Sequence, residues 1–108
     1  MKGEHLGEFE ILVLLALMRL QEDGYGMRVL KEIESEGRRA VSIGAIYATL
    51  SRLEKKGYVR SRFSAPTPER GGRSRRIFRL NAKGERALKR SLESLSRMVE
   101  GLSLGWSH

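Results

Sequence analysis

The chain has 108 residues, a net charge of +8 and a hydrophobic content of 40%, which suits one domain with a small core. It contains no cysteine, which excludes disulfide bonds and thiolate-bound metals. The apolar run at residues 11–18 is too short to cross a bilayer, since crossing takes about 20 residues, and it lacks the flanks of a signal peptide. We therefore expect a cytoplasmic protein with no membrane association.

Basic residues are concentrated in the middle of the sequence. Between Arg38 and Arg79 there are 12 basic residues and two acids, or 12 − 2 = +10, so the remainder carries 8 − 10 = −2. Arginine supplies 15 of the 21 basic residues, and its planar group suits bidentate contacts to phosphate and guanine. A concentrated positive field predicts a polyanionic partner.

Residues 8–21 are predicted to form a first helix that is apolar on nearly every side. Such a helix must be covered all round. We expect one face to pack in the core and another, which includes Leu12 and Leu15, to contact a second copy of the chain. A fully buried central helix in a monomer is the alternative.

Residues 27–36 are predicted to form a second helix after a glycine-containing turn. Met27, Leu30 and Ile33 recur at i, i+3 and i+6 and predict its buried stripe. Gly37 is expected to end this helix.

Residues 43–57 predict a third helix, which has an apolar and a basic face. The apolar positions recur at helical spacing and are Ile43, Ile46, Leu50 and Leu53. Ser42 is a candidate N-cap. The outer face is small at its start and basic toward its end, and with its flank it comprises Gly44, Ala45, Tyr47, Ala48, Ser51, Arg52 and Lys55. Recognition helices that enter the major groove have this profile, although an ordinary amphipathic helix with a solvated basic face is the alternative.

Residues 58–80 predict a β-hairpin, because the sequence alternates at 58–63 and again at 75–80. Between these segments lie both prolines of the chain and a pair of glycines. The tip and its flank hold Arg70, Gly71, Gly72, Arg73 and Arg75, and these arginines are too many for a purely structural hairpin. A solvated edge that charge protects from aggregation is the alternative.

Residues 81–102 predict a C-terminal helix with Asn81 as its cap, followed by a tail at 103–108 that contains Trp106. Apolar residues spaced 4-3-4-3 form a heptad seam, which predicts a dimerisation helix. These residues are Leu88, Leu92, Leu95, Val99 and Leu102. Packing of this seam on its own domain is the alternative.

The predicted fold is therefore mainly α with a small β hairpin. Residues 1–80 form a winged helix-turn-helix DNA-binding domain, and residues 81–102 form a C-terminal dimerisation helix. Winged helices also serve as protein-interaction modules, so the fold alone leaves that function open.

Two motifs make the sequence more specific. Gly44-Ala45-Ile46-Tyr47, continued by Leu50-x-x-Leu53-Glu54-x-x-Gly57, resembles the PadR family of bacterial transcriptional regulators, as does the run from Gly71 to Leu80 followed by Gly84. The resemblance implies a homodimer, joined through the first and last helices, that binds operator DNA and usually represses. It assigns Tyr47, Ser51, Arg52 and Lys55 to the major groove and Gly71, Gly72, Arg73 and Arg75 to the wing.

The sequence departs from many relatives at two places where they carry proline, which here hold Ile43 and Ala48. Some short relatives bind flat aromatic drugs through a tryptophan within the last helix, where this chain has Leu95. We expect a repressor that acts as a homodimer at a palindromic operator in double-stranded DNA. A small-molecule effector bound in a pocket at the dimer interface is the alternative.

No chemistry-bearing constellation points to an enzyme. The two histidines, His5 and His108, lie near opposite ends, and no nucleophile–base pair, metal-ligand cluster or phosphate-binding loop is visible. We expect no catalytic residue, no metal and no cofactor.

Overall fold

The computed structural model describes residues 5–65 and 74–104, which form four α-helices and a two-stranded antiparallel sheet. This architecture confirms the predicted winged helix-turn-helix with an added C-terminal helix. In chain order the elements are α1 (Glu8–Leu20), α2 (Gly26–Glu36), α3 (Ile43–Lys55), β1 (Val59–Phe63), β2 (Arg76–Leu80) and α4 (Ala82–Val99). A short 3-10 turn at Gln21–Asp23 connects α1 to α2.

Helix α1 lies at the centre of the molecule and contacts every other helix. Its most deeply buried residues are Val13, Leu14, Ala16 and Leu17. Leu12 and Leu15 are half-buried and pack against the same core. The helix is therefore covered mostly by its own chain, and only a narrow stripe that continues to the exposed Met18 is left for a partner.

Helix α2 buries a different stripe from the predicted one. Val29 and Ile33, four residues apart, enter the core, whereas Met27 is exposed and Leu30 is half-buried. The prediction for Met27 is wrong because six residues rotate by about 600° along a helix, which puts Met27 about 120° round the helix from Ile33. A side chain at Val29 follows the i, i+4 geometry of one helix face instead.

Gly37 ends α2, as predicted, but not through a left-handed conformation. Its φ of −83° is ordinary, and Arg38 takes the positive φ of 56° instead. A Cβ atom on Gly37 would lie 2.6 Å from the carbonyl oxygen of Ile33. Glycine is required here because the backbone approaches the preceding turn closely.

The hairpin pairs β1 with β2 from Val59–Leu80 to Phe63–Arg76. The free edge of β2 is bonded to the turn after α1, because the N–H of Phe78 donates to the carbonyl oxygen of Gly24 at 2.8 Å. Both Ile77 and Phe78 are buried, which breaks the expected alternation. Contacts of β2 with α1 and α4 account for this, since they cover the strand beyond its partner.

Asn81 joins the hairpin to α4. Its Oδ1 accepts the N–H of Gly84 at 2.9 Å, which confirms the predicted N-cap, and its Nδ2 donates to the carbonyl oxygen of Gly57 at 2.7 Å. Its own backbone N–H donates to the carbonyl oxygen of Tyr58 at 3.1 Å. One side chain and its backbone therefore tie the end of the wing to the start of the last helix.

Helix α4 ends at Val99, three residues before the predicted end. Glu100 leaves the helical conformation with ψ of 133°, and Gly101 has a positive φ of 84°. Leu102 therefore lies outside the helix and does not continue the heptad seam. Gly105 to His108, including Trp106, lie outside the described residues.

Candidate nucleic-acid interface

Helix α3 carries the residues that were predicted to contact DNA on its exposed face. It begins where the Oγ of Ser42 accepts the N–H of Ala45 at 3.0 Å, which confirms the predicted N-cap. Ile46, Leu50 and Leu53 have no exposed surface and hold the opposite face in the core. Ser42 and the seven predicted outer residues are all exposed, namely Gly44, Ala45, Tyr47, Ala48, Ser51, Arg52 and Lys55.

The predicted apolar stripe of α3 is wrong at one position. Ile43, the first residue of the helix, is 37% exposed rather than buried. It lies beyond the end of the core because the stripe of a helix drifts out of contact at its terminus. Thr49 is buried in its place, between Ile46 and Leu53.

The first half of the exposed face of α3 carries small side chains and has open space above it. A Cβ atom built on Gly44 would have no atom within 4 Å, and Ala45 and Ala48 project only a methyl group. Glycine is less favourable than alanine by up to about 1 kcal/mol in a helix interior, and Gly44 is the second residue of α3. Since no described neighbour requires glycine at this position, packing within the chain does not explain it.

Tyr47 packs against the start of α2. Its ring lies against the first residue of α2, because a Cβ atom on Gly26 would lie 2.4 Å from Cζ and 2.5 Å from the hydroxyl oxygen. The ring is still exposed at its other side. Tyr47 therefore has a packing role in addition to the one implied by the family resemblance.

The basic end of α3 is bound to a carboxylate of α1. Oε2 of Glu10 accepts from Nζ of Lys56 at 3.0 Å and from Nε of Arg52 at 3.4 Å. Nη2 of Arg52 also donates to Oγ1 of Thr49 at 3.3 Å. Lys55 makes no ion pair among the described residues, so it is the more freely available cation of this face.

Glu10 is nearly buried, yet the balance of its surroundings favours the ionised form. Burial raises the pKa of Glu10, but the N–H of Gly7 and the cations of Lys56 and Arg52 together lower it, and the net direction is downward. The carboxylate therefore stays charged at neutral pH and continues to hold both cations.

The wing is attached to α3 through a second carboxylate. Glu54 accepts from Nη2 of Arg76 at 2.7 Å and from the Oγ of Ser61 at 2.8 Å. Nε of Arg76 donates in turn to the Oγ of Ser61 at 3.0 Å. This closed set of three side chains links the end of α3 to both strands of the hairpin.

The opposite face of the hairpin is attached to the turn after α1. Glu22 accepts from Nη1 of Arg79 at 2.8 Å and lies 3.8 Å from Nη2 of Arg62. The positive charge of the middle segment is thus partly neutralised within the chain. Its sequence count of +10 overstates the charge that the surface offers to a partner.

Arg75 is directed toward α2 at the base of the wing. Its guanidinium lies 4.6 Å from the ring centroid of Tyr25, a favourable cation–π distance. Backbone and side-chain bonds between Ser64 and Arg75 close the hairpin at this level. The predicted tip residues lie outside the described part of the chain, namely Arg70, Gly71, Gly72 and Arg73.

A cleft of about 1000 Å³ separates the wing from α2. Tyr47 and Tyr25 line it, together with Arg75 and two basic residues of α2, Arg28 and Lys31. Neither Arg28 nor Lys31 was identified from the sequence, although their i, i+3 spacing puts two cations on one helix face. Within residues 5–65 and 74–104 neither side chain makes a salt bridge, although the acidic Glu22 and Asp23 also line this cleft.

The predicted dimerisation residues are divided between the core and the surface. Leu88 is 3% exposed and packs in the core of its own chain, whereas Leu92 and Val99 are half-buried. Leu95 and Met98 are 54% and 75% exposed. Met98 was missed because it lies beside the heptad seam and not on it.

An apolar groove of about 470 Å³ lies between α1 and α4 and is called the α1/α4 groove below. Its lining residues are Leu15, Met18, Glu85, Leu88, Lys89, Leu92, Glu93 and Ser96. The exposed Leu95 follows the groove residue Leu92 by three positions, so it lies next to the groove on the surface of α4. Met98 lies further round the helix.

Among the described residues no three histidine or acidic side chains are grouped closely enough to hold a metal ion. In the same part of the chain no helix has the length and apolarity that spanning a membrane requires.

Comparison with known proteins gives a family match. The model of the transcriptional regulator PadR-like family matches residues 14–90, which include α2, α3, the wing and most of α1. The comparison with curated proteins found no match.

Solved structures share the fold. A transcriptional regulator from Clostridium thermocellum is 23% identical with a TM-score of 0.69, over 82% of this chain and 81% of that one. A PadR family regulator from Clostridium difficile is 23% identical with a TM-score of 0.65, over 86% and 95%. A Streptococcus transcriptional regulator is 26% identical with a TM-score of 0.64, over 89% and 97%.

The family match covers well over half of the chain, and the solved regulators reproduce its arrangement of helices and wing. Proteins of this family regulate transcription and are not enzymes, which confirms the prediction that the chain has no catalytic activity. With this match and its fold of four helices and a wing, this chain belongs to the PadR-like family of transcriptional regulators.

Proposed function

We propose that this regulator binds a palindromic operator in duplex DNA as a homodimer and represses transcription by covering a promoter. The observation that carries the proposal is the open face at the start of α3, where Gly44 has empty space above it. A glycine that weakens its own helix is explained when another surface must approach the backbone closely. Base edges in the major groove are such a surface.

The exposed residues of α3 differ in how far their side chains extend from the helix. Gly44, Ala45 and Ala48 allow close approach, and Ser42, Tyr47 and Ser51 carry hydroxyl groups that can bond base edges or phosphates. Lys55 reaches outward from the last turn. Each good base contact contributes about 1–3 kcal/mol of discrimination.

The cleft beside the wing supplies the phosphate contacts in this proposal. Arg28, Lys31 and Arg75 line it and form no salt bridge among the described residues, whereas Glu22, which also lines it with Asp23, is paired with Arg79. The proposed tip contacts of Arg70, Gly71, Gly72 and Arg73 extend the same surface. Neutralising phosphates releases counterions, so these residues give affinity that falls with salt and depends little on sequence.

The homodimer is supported by the apolar side of α4. Leu95 and Met98 are exposed, Leu92 and Val99 are half-buried, and the α1/α4 groove with Leu15 and Met18 lies alongside. Burying such surface contributes about 25 cal/mol per Å². Leu12 stays in the proposed interface as a half-buried flank, whereas Leu88 is left out because its own core already covers it, and Leu102 is left out because the helix ends before it.

A second candidate is a regulator that responds to a small apolar effector. The α1/α4 groove favours it, since the groove is concave and lined largely by apolar side chains at the edge of the proposed interface. An effector bound there would change the dimer geometry. In either form the protein acts on the chromosome, which places it in the cytoplasm.

Selection of bound DNA from a random duplex pool tests the proposal. A palindromic consensus with half-sites one helical turn apart, about 34 Å, supports dimeric reading. Recovery of no consensus, together with equal binding of random duplexes, overturns the sequence-reading role. Displacement of the duplex by RNA would show that the chain does not prefer DNA. Capture of an acidic protein in place of DNA would favour the protein-interaction module.

A further inference from the structure

We propose that Glu10 is a positioning residue that controls how Arg52 and Lys56 meet DNA, and so sets the ratio between operator and non-operator affinity. The inference rests on the proposed function of α3 as the DNA-reading helix. It concerns a residue of α1 that lies at the flank of α3 where Arg52 and Lys56 are found.

The carboxylate of Glu10 is held in place independently of α3. It is 7% exposed, and its Oε1 accepts the N–H of Gly7 at 2.9 Å within a capping arrangement at the start of α1. A charged group this deeply placed is costly without partners. The Gly7 bond therefore fixes the direction of the second oxygen, Oε2.

Both cations at the end of α3 converge on that second oxygen. Lys56 and Arg52 donate to Oε2 from residues that follow Glu10 by 46 and 42 positions. The position of these two side chains is thus set by α1 as well as by the rotamer preferences of α3.

The orientation of Arg52 follows from this pairing. Its Nε faces Glu10 and its Nη2 faces Thr49, so the edge made by these two nitrogens points toward the protein. An arginine usually forms a forked pair of bonds to guanine or phosphate with such an edge. In this state the outward Nη1 side of Arg52 is the part offered to DNA.

Restraint of this kind favours discrimination over raw affinity. A mobile arginine and lysine next to the groove would pair with phosphates of any sequence, which raises non-operator binding. Holding them makes binding to the wrong duplex less favourable, which is one way to obtain specificity.

The test compares Glu10→Gln with the wild type on the selected operator and on a random duplex across a salt series. Glutamine has nearly the same shape and keeps an acceptor for Gly7 but loses the charge. We expect tighter random-duplex binding, a salt slope steeper by about one to two units, and an operator-to-random ratio that falls by about tenfold. Glu34→Gln, which removes the same charge at an exposed position of α2, should leave the ratio unchanged.

Two further arms separate positioning from a merely structural role. In an Arg52→Ala/Lys56→Ala background, Glu10→Gln should no longer change the ratio; an equal fall there overturns the proposal. If Glu10→Gln fails to fold, Glu10→Asp keeps the charge but shortens the reach, and the same fall in ratio is expected.

A measurement without DNA keeps this inference distinct from the proposed function. The Arg52 Nε–H should give a separate, slowly exchanging NMR signal in the wild type that is lost in Glu10→Gln. If the selection recovers no operator, the proposed function fails, whereas this signal still reports on the pairing. An Arg52 signal that exchanges like that of a solvated arginine, or an unchanged ratio in Glu10→Gln, overturns the inference alone.

Discussion

Gly84, in the first turn of α4, lies directly against the carbonyl group of Tyr58 at the start of the wing. A Cβ atom on Gly84 would lie 2.1 Å from that oxygen and 2.9 Å from the carbonyl carbon. Both groups are backbone, so neither can move aside without shifting α4 or the hairpin. Glycine at position 84 therefore sets how closely the last helix approaches the DNA-binding unit.

Replacing Gly84 with alanine is expected to lower the free energy of unfolding by about 2–3 kcal/mol, since overpacking of this kind costs that much. Urea unfolding followed by circular dichroism measures the change. Gly44→Ala is the matched control, because the same methyl group meets open space there. Equal stability of the two variants would contradict the close approach.

Gly44→Ala should raise the free energy of unfolding by about 0.5–1 kcal/mol, because alanine is the better helix former. Gly44→Leu should keep much of that stability and yet weaken operator binding by about tenfold or more, since the larger side chain holds α3 away from the base edges. Thermal unfolding and a binding titration report the two effects separately. A leucine variant that binds the operator as tightly as the wild type would remove Gly44 from the interface.

Arg28→Ala and Lys31→Ala are each expected to weaken binding to operator and random duplex by a similar factor. Each should reduce the slope of log affinity against log salt by about one unit, since one phosphate contact is lost. Arg86→Ala, a change of an exposed cation on α4, controls for total charge and should leave the slope nearly unchanged. A loss confined to the operator would mean that these residues read bases.

Met98→Glu is expected to convert the proposed dimer to monomer at micromolar concentration, because it places a carboxylate among the exposed apolar side chains of α4. Sedimentation velocity measures the oligomeric state. Arg86→Glu places a carboxylate about 120° away round the same helix and should leave the proposed dimer intact. If both variants sediment like the wild type, the apolar side of α4 is not the interface.

Stability should fall in acid partly through Glu10. Its pKa in the folded protein lies below the ordinary value of 4.5, so its ion pairs contribute stability above the unfolded-state pKa. That contribution is lost as the pH falls through the lower, folded-state pKa. Urea unfolding between about pH 6 and pH 3 should therefore show a steeper loss for the wild type than for Glu10→Gln, and parallel curves would contradict the assignment.

Local signals in the sequence were sufficient for the order of elements. Ser42 and Asn81 marked helix starts because a cap needs only a short polar side chain beside the first turn. Leu50 and Leu53 marked the buried face of α3 because its period is fixed by helix geometry. Such features depend on neighbours within a few positions, so the sequence predicted them correctly.

Features that depend on distant neighbours were not predictable in this way. The pairing of Arg52 with Glu10 joins residues 42 positions apart, and no local pattern encodes it. Burial of Leu88 by the core, and the end of α4 before Leu102, likewise depend on how α4 packs and where its backbone turns. A heptad spacing identifies an apolar stripe but does not say which chain covers it.

The bonds of Asn81 to Gly57, Tyr58 and Gly84 make one residue the joint between two functional units. In a dimer held by α4, the orientation of each α3 helix and wing relative to the symmetry axis would depend on the backbone at Asn81. Because α4 is long, a small rotation of it relative to the hairpin at Asn81 would move α3 by ångströms at the DNA. A relative that binds operators with a different half-site separation would then need a substitution near Asn81 but none in the side chains that touch bases.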